Sequence, residues 1–223
     1  MARTEPFDLY LDAYEEWFEK HVWVYRCEVE AIRHFLPAEG RGVEIGIGTG
    51  RFALPFGIGE GIEPSGRMRE VAIRRGLRVN DAVAERLPYR GQLFDFALMV
   101  TTICFVDDVE KSFHEIRRIL KPSGVFVVGM VDKNSSLGAM YQSVKNVNKF
   151  YRVATFYSTD EVIMLMNKAG YEDIEVVQTV FGDPRSIREL QSIKPGYGEG
   201  GFAVIRGIAP VRPGSAYETP THP

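Results

Sequence analysis

The chain has 223 residues, 45% hydrophobic and 26% charged, with 30 acidic against 27 basic side chains and a formal charge of −3. That length builds one sizeable domain, and the acidic balance argues against a broad nucleic-acid-binding face. Two cysteines are too few for a disulfide framework, no apolar run reaches the ~18 to 20 residues of a membrane span, and MARTEPFDLY lacks the apolar stretch of a signal peptide, so a cytoplasmic protein without a membrane partner is expected.

Residues 1–41 read as a helical arm. Phe7, Leu11, Tyr14, Phe18, Val22, Tyr25, Val29, Ile32 and Leu36 follow at steps of three or four, one apolar stripe along one helix or two helices end to end. Pro37 and Gly40 end it. The body of the domain then runs over 42–209. GVEIGIG (42–48) is a buried strand entering a glycine turn, and GEGIEP (59–64) is a second strand. Ser65 to Arg75 reads as a helix closed by Gly76, and FDFALMV (94–100) as a third buried strand. Val109, Phe113, Ile116 and Leu120 share a helix face, stopped by KPSG before the strand VFVVGMV (125–131). Fully apolar strands alternating with helices imply a parallel sheet covered on both faces.

The stretch 132–157 is aromatic and weakly periodic. Ser158 and Glu161 have capping-box spacing and open a helix that closes at Gly170. IEVVQTVF (174–181) and FAVIRGIA (202–209) are joined without a long apolar helix, so they are expected to pair antiparallel. The proline-rich tail, 210–223, has no apolar period and is expected to be extended or disordered, a flexible tail.

Gly46, Gly48 and Gly50 stand in EIGIGTG directly after the first strand, and Glu63 ends the second. Glycines there let backbone approach a ligand, and a strand-end acid can accept the hydroxyls of a ribose. A dinucleotide fingerprint would be G-x-G-x-x-G aimed at a pyrophosphate. Here the third glycine comes one residue early, and Glu44 places a carboxylate beside the loop. That suits a ligand carrying an ammonium and points from NAD towards S-adenosyl-L-methionine (SAM).

VEIGIGTGRF resembles motif I of the class I SAM-dependent methyltransferases, and GIEPSGRM resembles motif II. AERLPYRGQLFDFALMV and EIRRILKPSGVFVV are similar to the stretches leading into the fourth and fifth strands of that family. The four run in register over 42–131 and persist weakly to about 206, closest to the small-molecule "methyltransferase type 11" subgroup. The resemblance implies a Rossmann-like three-layer α/β sandwich whose seven-stranded sheet has the order 3-2-1-4-5-7-6, strand 7 antiparallel. It also implies positions for a donor. Glu44 falls near the methionine end, and Gly46, Gly48 and Gly50 where backbone approaches. Glu63 falls at the ribose, Met68 against the adenine face, Val83, Ala84 and Glu85 at the adenine edge, and Thr101 on the sulfonium side. Three departures accompany it. Val83 replaces an adenine-binding Asp, so that bond must come from a carbonyl, a water or nearby Asp81. The helix after Gly50 must be short, because Pro55 interrupts it. Cys104 stands where the subgroup often has His.

The reaction implied is direct methyl transfer to a small-molecule acceptor, built in part by 132–157 and covered by the aromatic arm. The sequence names no catalytic base; His21, Tyr25 and Tyr141 are the candidates. No His/Cys/Asp grouping has zinc-ligand spacing. Arg67, Arg69, Arg74, Arg75 and Arg78 read as a solvated helix face. Two rival readings are a non-catalytic SAM-binding sensor or partner subunit, and a nucleotide-dependent oxidoreductase.

Overall fold

The computed structural model describes residues 3–211; the expected tail beyond Val211 lies outside the described residues. The N-terminal stripe folds as three helices, α1 (Glu5–Leu9), α2 (Leu11–Lys20) and α3 (Val22–Arg33). The chain leaves helical geometry at Tyr10 (φ −121°, ψ 35°) and His21 (φ −116°, ψ 39°). Each break resets the helical period. Val22, on the projected stripe, is therefore exposed, while Val24, Cys27, Ala31 and Ile32 turn inward.

The body supplies β1 (Gly42–Ile45), β2 (Glu60–Ile62), α4 (Gly66–Arg74), β3 (Arg78–Asn80), β4 (Phe94–Val100), α5 (Val109–Ile119) and β5 (Leu120–Val131). Then come α6 (Ser136–Ser143), α7 (Thr159–Lys168), β6 (Glu172–Thr179), β7 (Lys194–Pro195) and β8 (Phe202–Ile208). They form one sheet in the order β3-β2-β1-β4-β5-β8-β6-β7. β1 to β5 pair parallel, and β8 runs antiparallel between β5 and β6. This is the expected order with one addition. The two-residue β7 pairs antiparallel with β6 at the sheet edge, where a proline without an N–H is tolerated.

α5 and α7 cover one face through Phe113, Ile116, Ile119, Val162 and Met166. α3 and α4 cover the other through Val24, Ala31, Ile32 and Ala72. The caps follow the sequence: Ser65 accepts from the Met68 N–H, Asp108 from Lys111, and Ser158 with Glu161 closes a reciprocal capping box. The expected short helix after Gly50 is a correction. Only a three-residue 3-10 turn, Leu54–Phe56, forms there. Pro55 donates no N–H, and Gly57 takes a left-handed conformation that ends the turn at once.

The arm docks through charge as well as rings. Glu15 of α2 is bound by Arg51 at 2.6 Å, by Arg75 and by the Thr49 hydroxyl. Burial alone would raise its carboxyl, but hydrogen bonds from Arg75, Thr49 and Arg51 overturn that and bring it to about 2. Asp8 of α1 accepts from the Ser65 hydroxyl at 2.6 Å, at the N-terminus of α4, where a carboxylate is favoured. Arginines 67 and 75 therefore belong to the arm contact, whereas Arg74 stays on the solvent face. Glu15→Ala is expected to lose ~1.5 to 3 kcal/mol per charged hydrogen bond, partly offset by water. Amide hydrogen exchange in 11–20 should accelerate while that of β4 and β5 stays unchanged; equal protection would show that the ring contacts alone hold the arm.

Candidate functional site

β1, β2, β4 and β5 all end at the same edge, where an open α/β sheet leaves its crevice. A cavity of about 350 Å³ lies there. Its floor comes from the strand ends: Gly46 and Gly48 after β1, Glu63 after β2, Thr101 after β4 and Val131 at the end of β5. Its roof comes from the arm and from 132–157. Phe7 meets Phe105 at 4.8 Å and Phe150 at 5.6 Å between ring centroids, and Tyr14 meets Phe18 at 5.1 Å. The aromatic stripe thus closes over the glycine turn, and 132–157 forms the adjoining wall through Tyr141, Phe150 and Tyr151.

The glycine turn is built tightly. Gly46 has φ +71°, and its carbonyl accepts the Thr102 hydroxyl at 3.2 Å. Gly48 has φ +56°, and a Cβ there would stand 3.1 Å from the Tyr14 hydroxyl and 3.4 Å from Met68 Cε. Its N–H donates to Glu63 Oε2 at 2.9 Å, while the Ser65 N–H donates to Glu63 Oε1 at 2.8 Å. Burial pushes the Glu63 carboxyl up to about 7 against the pull of those two N–H groups. Glu44, in β1 beneath the turn, is 1% exposed and leaves Oε2 with no hydrogen-bond partner among the described residues. Burial first, and then the charge of Glu63, holds its carboxyl well above the usual carboxylate range.

Of the ten positions singled out in the sequence, Gly46, Gly48, Glu63, Met68, Val83, Ala84, Glu85 and Thr101 line this cavity. Two do not. Glu44 lies below the lining, and Gly50 faces Leu77 in the packing beneath the turn. Asp81 is occupied by Arg69 at 3.0 Å and is not a lining residue. Glu85 accepts from the Asp107 and Asp108 N–H groups at 2.9 and 3.0 Å, which ties the loop after β4 to the cavity rim.

Among the candidate bases only Tyr141 lines the cavity. Tyr25 donates its hydroxyl to the Arg51 carbonyl, and the His21 ring lies against Trp17 at 5.1 Å. Cys104 does line it, but burial pushes the thiol up to about 12, so it is not a thiolate nucleophile near neutrality. Sequence reasoning passed over Glu28, Thr102 and Arg3, all three in the lining. A signal for Glu28 was present: it stands four residues from both Val24 and Ile32, an acid on the buried seam of α3.

A family model described as "Methyltransferase domain" matches residues 43–128. A solved SAM-dependent methyltransferase of Thermotoga maritima, described as a possible histamine N-methyltransferase, is 51% identical. The match covers 92% of this chain and 98% of that one, with a TM-score of 0.89. An uncharacterised protein of Methanocaldococcus jannaschii is 40% identical over 199 residues, 89% of this chain and 96% of its own length. More distantly, phosphoethanolamine N-methyltransferase 2 of Haemonchus contortus, solved with SAM, shares the fold at 18% identity and a TM-score of 0.61. That match covers 82% of this chain and 52% of that one. With identity of this order over nearly the whole length, and the glycine turn and strand-end acid at the sheet's crevice, the chain belongs to the SAM-dependent methyltransferases.

Proposed function

We propose that the protein catalyses methyl transfer from SAM to a small-molecule acceptor, with both ligands in the one cavity. The observation that carries this reading is the cavity's composition. A glycine turn with the buried carboxyl of Glu63 forms one part, and an aromatic chamber from the arm and 132–157 forms the other. A sensor would need only the first part.

The residues present fit SAM. Glu44 Oε2 is a buried carboxylate oxygen without a partner, which an ammonium group would satisfy. Gly48 leaves open the volume that a side chain would fill. Glu63 presents carboxylate oxygens at the end of β2, where a ribose diol would bind. Met68 supplies a buried thioether for the adenine face, and the turn Val83 to Glu85 supplies backbone for its edge. Gly46 shapes the turn at the cavity and Gly50 supports it from below, while Thr101, in the lining, would face the sulfonium side. When bound, SAM supplies a methyl group already activated on sulfur. The protein's own task is then to align the acceptor, exclude water beneath the arm and accept a proton where the acceptor must lose one.

Titrating SAM and NAD separately in a thermal-shift assay tests the donor. At 100 times its dissociation constant a ligand adds ~2.7 kcal/mol, a rise of roughly 5 to 11 °C at this size. A rise with NAD and none with SAM would sink the reading. Methyl transfer from labelled SAM into a pool of small metabolites tests the catalysis. Glu44 adds a pH signature. It keeps its proton well above the usual carboxylate range in the free protein, and an ammonium beside it favours the ionised form. SAM binding should therefore release a proton, and affinity should rise with pH by up to about tenfold per unit within that window. Because Glu44 and Glu63 interact, the release belongs to the pair. Calorimetry in two buffers of different ionisation enthalpy measures it; identical heats would remove Glu44 from the donor site.

A further inference from the structure

Glu28 is a cavity group that donor binding leaves unused. It stands in the middle of α3, 5% exposed, on a seam otherwise made by Val24, Cys27, Ala31 and Ile32. Glu28 lines the cavity. No hydrogen bond or ion pair reaches it among the described residues; burial alone governs its ionisation. Tyr141 and Tyr151, close enough to feel its charge, stack with ring centroids 4.4 Å apart in the wall formed by 132–157. An unpaired buried carboxylate is strongly unfavourable. Facing an aromatic chamber, it is a group waiting for a ligand.

We propose that Glu28 is the acceptor-binding carboxylate of this site and that the acceptor is an amine. This rests on the reading of the glycine turn as the methyl-donor site. Two features select an amine over an alcohol or an acid. Aromatic faces attract an ammonium and do nothing comparable for a neutral hydroxyl. The cavity is also lined by four acids, Glu28, Glu63, Glu85 and Asp107, against one cation. That cation, Arg3, donates to the Val153 carbonyl and the Thr155 hydroxyl, both at 2.8 Å, and pairs with Asp107 at 3.7 Å, which leaves the other three acids without a cation in the lining. A carboxylate or phosphate acceptor would meet repulsion, and an ammonium would be drawn in.

The proton then has a place to go. An ammonium nitrogen has no free electron pair. On binding, it favours the ionised form of Glu28, whose own proton leaves to water, and then gives up one N–H proton to that carboxylate. The freed pair forms the N–CH3 bond as the S–CH3 bond breaks, and the electrons of that bond remain on sulfur. The products are a methylated ammonium, the neutral thioether and a protonated Glu28, which returns its proton to water when the site opens. Burial pushes the Glu28 carboxyl up to about 8 in the free chain, which makes its carboxylate a stronger proton acceptor than an exposed one.

The test uses the whole chain loaded with S-adenosylhomocysteine, which occupies the donor site without transferring a methyl. Calorimetric titrations compare 2-phenylethylamine and 1,4-diaminobutane with 2-phenylethanol and 3-phenylpropionate. At least one amine is expected to bind ten times more tightly than the alcohol, with the acid not detected. Glu28→Gln should weaken that amine tenfold or more and leave S-adenosylhomocysteine affinity within twofold, which also shows that the variant is folded. Tight S-adenosylhomocysteine binding with no amine preference, or an amine affinity that survives Glu28→Gln, would overturn the assignment of Glu28. Failure of S-adenosylhomocysteine to bind the unaltered protein would instead overturn the donor reading, and this inference with it.

Discussion

Gly46→Ala is expected to cost ~2 to 4 kcal/mol of folding stability and to lower SAM affinity at least tenfold, whereas Gly57→Ala, at a similar φ, costs only ~1 kcal/mol and leaves affinity unchanged. Both residues hold left-handed backbone, φ +71° and φ +67°. The strain of placing a Cβ there is common to the pair. What differs is the space. At Gly57 nothing lies within 4 Å of an added Cβ, whereas at Gly46 it would stand 2.5 Å from Thr102 Oγ1 and 3.0 Å from Thr102 Cβ. Thr102 cannot swing away freely, because its hydroxyl donates to the Gly46 and Val100 carbonyls at 3.2 and 3.0 Å. The two carbonyls share its one proton, and losing that donation adds ~0.5 to 1.5 kcal/mol. Alternatively the turn shifts, and the backbone facing the donor shifts with it. Denaturant melts of the two variants, with calorimetric SAM titration, separate these contributions. If Gly46→Ala behaves like Gly57→Ala in both measurements, the contact between the glycine turn and the loop after β4 does not shape the donor site.

That contact was half legible. Gly46, Gly48 and Glu63 are legible as candidate site residues because each is required by backbone geometry or by a hydrogen-bonding role at a strand end. Both constraints are local and leave a mark in sequence. The parallel strands are legible for a related reason: FDFALMV and VFVVGMV have no polar face to show solvent, and only a sheet covered on both sides accepts them. Thr102 is different. Its role depends on β4 lying beside β1, a pairing of residues more than fifty positions apart. The helical arm shows the same limit. Its apolar period is plain, yet the breaks at Tyr10 and His21 carry neither proline nor glycine. They flank α2, which carries Glu15 to Arg51 and Arg75, residues distant in sequence. β7 was invisible because two residues make no pattern. Glu28 was visible as an acid on an apolar seam, but a stripe drawn through Tyr25 and Val29 passes it by.

Glu28→Gln should gain stability relative to the parent as pH rises. The Glu28 carboxyl is held at about 8 in the folded chain, by burial, against 4.5 ordinarily. Between those values the folded state retains a proton that the unfolded chain has lost. Stability therefore falls as pH rises from 4.5, and the whole penalty is present above 8. Below 4.5 both states are protonated and the penalty vanishes. The loss between pH 5 and pH 8 is roughly 3 kcal/mol, and glutamine, which does not ionise, escapes it. In the melting temperature the gap between variant and parent should widen by roughly 6 to 12 °C across that range. The absolute offset is smaller, because a buried amide without partners costs ~1 to 3 kcal/mol at every pH. Glu44 and Glu63 are also raised by burial, but they are present in both proteins and cancel in the difference. Tyr25, Tyr141 and Tyr151, whose phenols burial raises, stay neutral throughout. Parallel melting curves from pH 5 to pH 8 would mean that Glu28 is solvated or paired in the free protein, and the carboxylate would then no longer be held in reserve for a ligand.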